Sequence, residues 1–122
     1  MMGAMPSETD LSALAHTYAG VRTRVSGGNA VLAPWGEVDH GSVPYLYGAL
    51  SGLAAETESV VLDMAAVTFM DTAGLHFLEC LRDYGRQHRI PVETVNWTHQ
   101  PRRMLTTARG VVPVPLPDAE RP

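Results

Sequence analysis

The alternation of apolar and polar residues near the start of the chain predicts a β-hairpin. Residues 21–25, VRTRV, alternate with a period of two, which is typical of a strand with one solvated face. Residues 26–29, SGGN, have the composition of a turn, and residues 30–38, AVLAPWGEV, form the second predicted strand. Because Pro34 has no N–H to donate to a ladder, we expect it at a sheet edge or a bulge.

A helical pattern follows the hairpin. The sequence predicts a helix from Val43 to about Ala55, with Ser42 as its N-cap and Pro44 in its first turn. Apolar residues recur in it at the spacing of one helix face. The members of this predicted buried stripe are Val43, Leu46, Tyr47, Leu50, Leu53 and Ala54.

The middle of the chain predicts a buried strand followed by a second helix. Residues 59–64, SVVLDM, form a continuous apolar run of the kind found in strands covered on both faces. We interpret residues 65–69, AAVTF, as a connection. A helix is then expected from Ala73 to about His88, with one face formed by Phe77, Leu78, Leu81, Tyr84 and Gly85.

The last elements complete an alternating order of strands and helices. Residues 90–95 predict a short strand, residues 99–110 predict a helix ended by Gly110, and residues 111–117 predict a final extended piece. The order β-β-α-β-α-β-α indicates an α/β domain with a mixed, mostly parallel sheet, an N-terminal hairpin and three main helices packed against it. We place the domain at residues 20–115, between a loosely ordered arm (1–19) and a flexible proline-rich tail (116–122).

Composition narrows the class of protein. A chain of 122 residues suits one domain. The single cysteine, Cys80, excludes an intramolecular disulfide and fits a reducing compartment. No signal peptide and no apolar run of about 18 residues is visible. We therefore expect a soluble cytoplasmic protein without direct membrane contact.

Charge is distributed unevenly along the chain. Residues 36–83 contain eight acids and one arginine, for a net charge of −7, whereas residues 84–110 contain five arginines and one acid, for a net charge of +4. The acidic part should repel nucleic acid and attract a basic partner surface. The basic part lacks the interleaved aromatic residues of a stacking nucleic-acid binder, so we interpret it as a solvated helix face.

The candidate site is the junction of residues 70–75, MDTAGL. Thr72 is well placed as the N-cap of the second helix, and the small residues Ala73 and Gly74 would let another group approach its first turn closely. The N–H groups and the dipole at a helix start favour an anion, so a phosphate on Thr72 would fit there. The alternative is that Thr72 is an inert cap.

Three segments together resemble a known family. The run VVLDMAAVTFMDTAGLHFLECLR resembles the STAS domain, most closely that of bacterial anti-sigma factor antagonists, in which a phosphorylatable D-S-[SA]-G-L begins a helix. Residues 36–42, GEVDHGS, are similar to the family's G-E-L-D strand end, and QPRRMLTTARG resembles its last helix. The resemblance covers about residues 20–115.

The resemblance implies an interaction switch without enzymatic activity or a cofactor. An unphosphorylated antagonist of this family binds a serine/threonine kinase that is also an anti-sigma factor, and so frees the sigma factor. The kinase then phosphorylates the hydroxyl residue of the motif, which is Thr72 by position, and a phosphatase restores it. Asp39 and Asp71 match the family's acids beside the switch. The sequence departs from the family in having threonine where serine is commoner, His76 in the first helical turn, and NWTHQ at residues 96–100.

The second helix also predicts a partner-facing side. His76, Cys80 and Asp83 follow one another on a face away from the apolar stripe. The spacing of His76 and Cys80 would suit a metal, but no third ligand is indicated, so we predict no metal site. No P-loop or nucleophile elbow indicates an enzyme. The predicted partner-binding residues are Asp39, Asp71, Thr72, Ala73, Gly74, His76, Cys80 and Asp83.

Two other roles within the same family stay open. One small type of STAS protein docks on the ATPase of a lipid-transporting ABC complex through a D-T-G-G-L motif, where the threonine need not be phosphorylated. Another is a scaffold of a stress-signalling assembly that is phosphorylated on threonine and works as an oligomer. The acidic middle and the GEVD segment favour the antagonist, and self-association is left open.

Overall fold

The computed structural model describes residues 18–108, which form five strands and three helices. The predicted arm, the helix end at Gly110, the final extended piece and the tail lie wholly or largely outside these residues. No helix within the described part is long and apolar enough to cross a bilayer. In chain order the elements are β1 (Ala19–Ser26), β2 (Asn29–Val38), α1 (Val43–Ser51), β3 (Ser59–Asp63), β4 (Ala66–Met70), α2 (Thr72–His88), β5 (Val92–Val95) and α3 (His99–Ala108).

The five strands form one mixed sheet with β2 at its centre. β1 pairs antiparallel with β2 through the predicted hairpin, and β3 and β5 extend the sheet in parallel. β4 also pairs in parallel with β2, beyond the end of the β3 ladder. The helices α1 and α2 contact each other; α1 also contacts β1 and β2, α2 contacts β4 and β5, and α3 contacts β4. The predicted α/β class, with a mostly parallel sheet and an N-terminal hairpin, is confirmed.

The strand β4 was expected to be a connection, and that prediction is wrong. The register pairs Gly36 with Val67 but Glu37 with Phe69, so Thr68 is an extra residue that bulges out of the β4 ladder. The bulge places buried residues Val67 and Met70 three positions apart, where an uninterrupted strand would place them two or four apart. The period of two that identifies a strand is therefore absent from its sequence.

Pro34 lies at neither an edge nor a bulge, contrary to our expectation. β2 has neighbours on both sides, and Pro34 falls between Leu32, the last residue paired with β3, and Trp35, the first paired with β4. The residue without an N–H therefore stands where β2 changes its parallel neighbour. It interrupts neither of the two parallel ladders.

Two predicted elements are shorter in the structure, and a third is less completely buried than expected. α1 ends at Ser51, with Gly52 as its C-cap, so Ala54 is exposed and does not belong to the buried stripe. β5 begins at Val92, two residues after the predicted start. β3 alternates in burial, with Val60 and Leu62 buried and the others half-buried, so it is not fully covered on both faces.

The core lies between the sheet and the inner faces of α1 and α2. The stripe predicted for α2 is confirmed, since Phe77, Leu78, Leu81 and Gly85 are buried and Tyr84 is half-buried. Buried apolar side chains of β1, β2, β3 and β4 belong to this cluster, and the half-buried Val92 of β5 packs against it. Its largest fully buried members are Phe77, Leu32, Leu62, Met64, Met70, Leu78, Leu81, Val21, Val60 and Val67.

Candidate functional site

The candidate site lies where β2 and β4 end side by side. Val38 and Met70 form the last pair of the parallel ladder, and the Asp71 N–H donates to the Val38 carbonyl at 3.1 Å. Asp39 and Asp71 therefore follow adjacent strand ends. The strand that ends before Asp71 is β4, and not the run of residues 59–64 that the sequence predicts as the preceding strand.

The N-cap of α2 is Asp71, which corrects the assignment of the cap to Thr72. Asp71 has extended backbone angles (φ −110°, ψ −167°), and its carboxylate accepts from the Ala73 N–H at 2.8 Å. Thr72 is the first residue of the helix and is exposed. Within residues 18–108 its hydroxyl has no hydrogen-bond partner. Thr72 is therefore not the cap of α2, and its hydroxyl is available to another molecule.

Asp39 organises the turn that leads into α1. Its carboxylate accepts from the N–H groups of Gly41 and Ser42, each at 3.0 Å. The Ser42 hydroxyl accepts from the Asp39 N–H at 3.0 Å and donates to the Glu37 carbonyl. Ser42 thus occupies the predicted cap position, but its side chain bonds back to the strand end and makes no cap hydrogen bond to the helix.

The glycine of the GEVD segment is required by the fold. Gly36 has a φ of +80°, a region that side-chain-bearing residues rarely adopt. A Cβ at this position would overlap the Tyr18 carbonyl, where the chain enters β1. Gly36 therefore lets the hairpin pack tightly just before Asp39.

The absence of a side chain at Gly74 leaves room for the side chain of Met70. It is buried in the first turn of α2, and a Cβ there would overlap Met70 Cγ and lie 2.7 Å from Met70 Sδ. The close approach expected at this glycine is thus made by Met70, which is itself buried. Any contribution of Gly74 to partner binding is therefore indirect, through the seating of α2 on β4. Ala73 beside it is half-buried.

The other predicted partner-binding residues lie along the exposed face of α2. His76, Cys80 and Asp83 are all exposed. Asp83 pairs with Arg86 at 2.7 Å, and Cys80 Sγ lies 3.9 Å from the Tyr47 hydroxyl. Partial burial, with help from the Cys80 contact, raises the pKa of Tyr47. No group of three or more potential metal ligands occurs among the described residues.

Two features of the site could not be identified from the sequence. Phe69 is 42% exposed on β4, in register with Glu37, and so places an aromatic ring near the acids at the strand ends. A groove of about 540 Å³ runs between the start of α2 and α3, and Thr72, Leu75 and Met104 help to line it. Both features depend on β4, which the sequence did not show to be a strand.

The comparisons place the chain in a family. It matches the model of the STAS domain over residues 20–109 and therefore belongs to the STAS domain family. No curated relative matches the sequence.

Several solved structures share the fold. The anti-sigma factor antagonist SpoIIAA in its unphosphorylated form has a TM-score of 0.65 at 16% identity, over 78% of this chain and 84% of that chain. An anti-sigma factor antagonist from Mycobacterium paratuberculosis has a TM-score of 0.66 at 22% identity, over 84% of this chain and 89% of that chain. A STAS domain of an antisigma-factor antagonist from Rhodobacter sphaeroides has a TM-score of 0.51 at 18% identity, over 66% and 88%.

Proposed function

We propose that this protein is a cytoplasmic anti-sigma factor antagonist. It binds an anti-sigma factor that is also a serine/threonine kinase, and binding frees the sigma factor. The kinase phosphorylates Thr72 and thereby ends the interaction, and a phosphatase removes the phosphate. The observation that carries this proposal is the exposed Thr72 hydroxyl, which begins α2 without serving as its cap.

The surroundings of Thr72 suit a partner that is basic and partly apolar. Asp39 and Asp71 follow adjacent strand ends, and Glu37 lies in register with the exposed Phe69. Buried aromatic residues often supply most of the affinity at an interface, and a charged rim selects the partner and speeds association. The occupant that fits this surface is an apolar pocket surrounded by arginine or lysine.

Phosphorylation of Thr72 would weaken partner binding at this surface. A phosphate on Thr72 adds a charge of about −1.5 to −2 at pH 7. The free protein accommodates it at the positive end of the α2 dipole, a contribution of about 0.3–1 kcal/mol at an exposed site. In a complex the same charge has to be desolvated beside Asp71. The phosphate therefore disfavours the complex more than the free protein, and no refolding of the domain is needed.

The proteins whose solved structures share this fold support the proposal, because two of them have the proposed role. SpoIIAA and the mycobacterial protein are anti-sigma factor antagonists, and SpoIIAA was determined in a form called unphosphorylated. The proposal carries that role and that modification to this chain, with Thr72 as the acceptor.

Release of the sigma factor tests the proposal. Complexes of each candidate anti-sigma kinase with its sigma factor, from the same genome, would be mixed with the protein and analysed by gel filtration. We expect the wild type to displace one sigma factor and Thr72→Glu to fail. Thr106→Glu is the matched control, because Thr106 is an exposed threonine of α3 away from the strand ends, and it should displace the sigma factor normally.

Three results would contradict the proposal. Failure of the wild type to displace any sigma factor would exclude the antagonist role. Stable binding to an ABC-type ATPase in place of a kinase would favour the transporter subunit, with Thr72 as a docking residue. Displacement that is equally strong with Thr72→Glu would exclude Thr72 as the switch.

A further inference from the structure

The outer edge of β4 is closed by side chains and not by a strand. In the described part of the sheet, β4 pairs with β2 alone. On its other side, the Met70 N–H donates to Gln100 Oε1 at 2.7 Å, and Gln100 Nε2 donates to the Met70 carbonyl at 2.9 Å. The Thr98 hydroxyl donates to the Val67 carbonyl at 2.7 Å. The Gln100 amide thus supplies the acceptor and donor that a neighbouring strand would supply.

This arrangement explains the unusual NWTHQ segment. An uncovered strand edge exposes a row of N–H and C=O groups that invite pairing with other chains. Thr98 and Gln100 stand at the start of α3 and satisfy two positions of that edge from 30 or more residues away in sequence. The segment is therefore more than a connection between β5 and α3.

Gln100 also fixes the backbone of Met70, the residue that comes two positions before Thr72. Met70 directly precedes the cap residue Asp71, and its side chain fills the space left by Gly74 in the first turn of α2. Its backbone is held by Gln100 and its side chain by α2. Gln100 and Thr72 line the same groove between α2 and α3. A shift of α3 would therefore be passed through Gln100 to the backbone that presents Thr72.

We infer that Gln100 is a positioning residue for Thr72, and that α3 thereby controls how readily the switch is phosphorylated. This inference rests on the proposed function, since it concerns phosphoryl transfer to Thr72. Phosphoryl transfer requires the attacking hydroxyl to be held in line with the donor, and a misplacement of 1 Å can cost about 100-fold in rate. The hydrogen bonds of the Gln100 side chain go to the Met70 backbone and not to the Thr72 hydroxyl, so Gln100 acts through the backbone of Met70.

The kinetic test compares Gln100→Met with Thr98→Val under phosphorylation by the cognate kinase. Both variants remove side-chain hydrogen bonds from the same edge, but only Gln100 bonds to the residue beside the cap. For Gln100→Met we expect kcat to fall about 10- to 100-fold with KM changed by less than about threefold, because the docking surface at the strand ends is unchanged. For Thr98→Val we expect both constants within about threefold of the wild type.

Amide hydrogen exchange measured by NMR tests the contact independently of any kinase. In Gln100→Met the Met70 amide should exchange at least about tenfold faster than in the wild type, because its acceptor is gone. In Thr98→Val the Gln100 amide still accepts from the Met70 N–H and donates to the Met70 carbonyl, so protection should remain. The Asp71 amide, which donates to Val38, is the internal control and should stay protected in both variants.

The outcomes separate the inference from the proposed function. If no kinase phosphorylates the wild type, the proposed function fails and the exchange of the Met70 amide alone decides whether Gln100 holds this backbone. If the wild type is phosphorylated and Gln100→Met retains its kcat, or affects it no more than Thr98→Val does, the inference is overturned while the proposed function stands. Unchanged protection of Met70 in Gln100→Met would also overturn it.

Discussion

The carboxylate of Asp71 accepts a hydrogen bond from the Ala73 N–H, 2.8 Å away, and so caps α2. Loss of an N-cap side chain typically costs about 1 kcal/mol. We expect Asp71→Ala to lower the free energy of unfolding by about that amount, and Thr72→Ala to change it by less than about 0.5 kcal/mol, as exposed positions usually do. Urea denaturation of both variants measures this, and the opposite ranking would show that Thr72 is the cap.

The packing of Met70 against Gly74 predicts a cost for any side chain at Gly74. A Cβ there overlaps Met70 Cγ, and overpacking a core typically costs about 1–3 kcal/mol, more than the gain of about 1 kcal/mol from replacing a helical glycine. We therefore expect Gly74→Ala to destabilise the protein. Gly48→Ala in α1 is the control, because a Cβ there meets nothing within 4 Å and should stabilise by up to about 1 kcal/mol. Equal effects in thermal or urea unfolding would contradict this account.

The structural and partner-binding roles of Asp39 are separable by substitution. Asparagine keeps an oxygen that accepts from Gly41 and Ser42, so Asp39→Asn should unfold within about 0.5 kcal/mol of the wild type. Asp39→Ala removes the acceptor and should cost about 1 kcal/mol. If the charge contributes to docking, Asp39→Asn should still weaken partner binding by a few-fold, with a smaller loss at high salt. Calorimetric titration at two salt concentrations measures this, and an unchanged Kd would remove Asp39 from the docking surface.

The exposed ring of Phe69 predicts a binding defect without a folding defect. Because Phe69 is 42% exposed, Phe69→Ala should leave the unfolding midpoint nearly unchanged. An aromatic hot-spot residue at an interface contributes at least about 2 kcal/mol, so we expect the Kd for the kinase to rise by at least about 30-fold. Thr68→Ala, at the exposed neighbouring position, is the control and should bind normally. Normal binding by Phe69→Ala would place the interface elsewhere.

Regular periodicity explains which parts of the fold could be predicted. The hairpin and the stripe of Phe77, Leu78 and Leu81 follow uninterrupted periods of two and 3.6, and both are confirmed. β4 was missed because its bulge at Thr68 breaks the period of two. The predicted position of Pro34 was wrong for another reason. The sheet tolerates a residue without an N–H there because β2 changes its parallel neighbour at that point, and this depends on the topology of the whole sheet.

The candidate site could be predicted only in part, because some of its contacts leave no local pattern in the sequence. The DTAGL segment locates the junction, but Asp71 and Thr72 are adjacent and both are good caps, so only the geometry distinguishes them. The contact of Gln100 with Met70 joins residues 30 positions apart through a side chain. No local pattern in the sequence indicates such a contact.

The proposed switch depends on phosphorylation of Thr72. The most direct measurement incubates the protein with ATP and each anti-sigma kinase of the same genome, and locates phosphate by intact mass and peptide mapping. We expect one phosphate on Thr72 with one kinase and none on Thr72→Ala, which should still bind that kinase. Absence of phosphate with every kinase, or a phosphate that persists in Thr72→Ala, would contradict it.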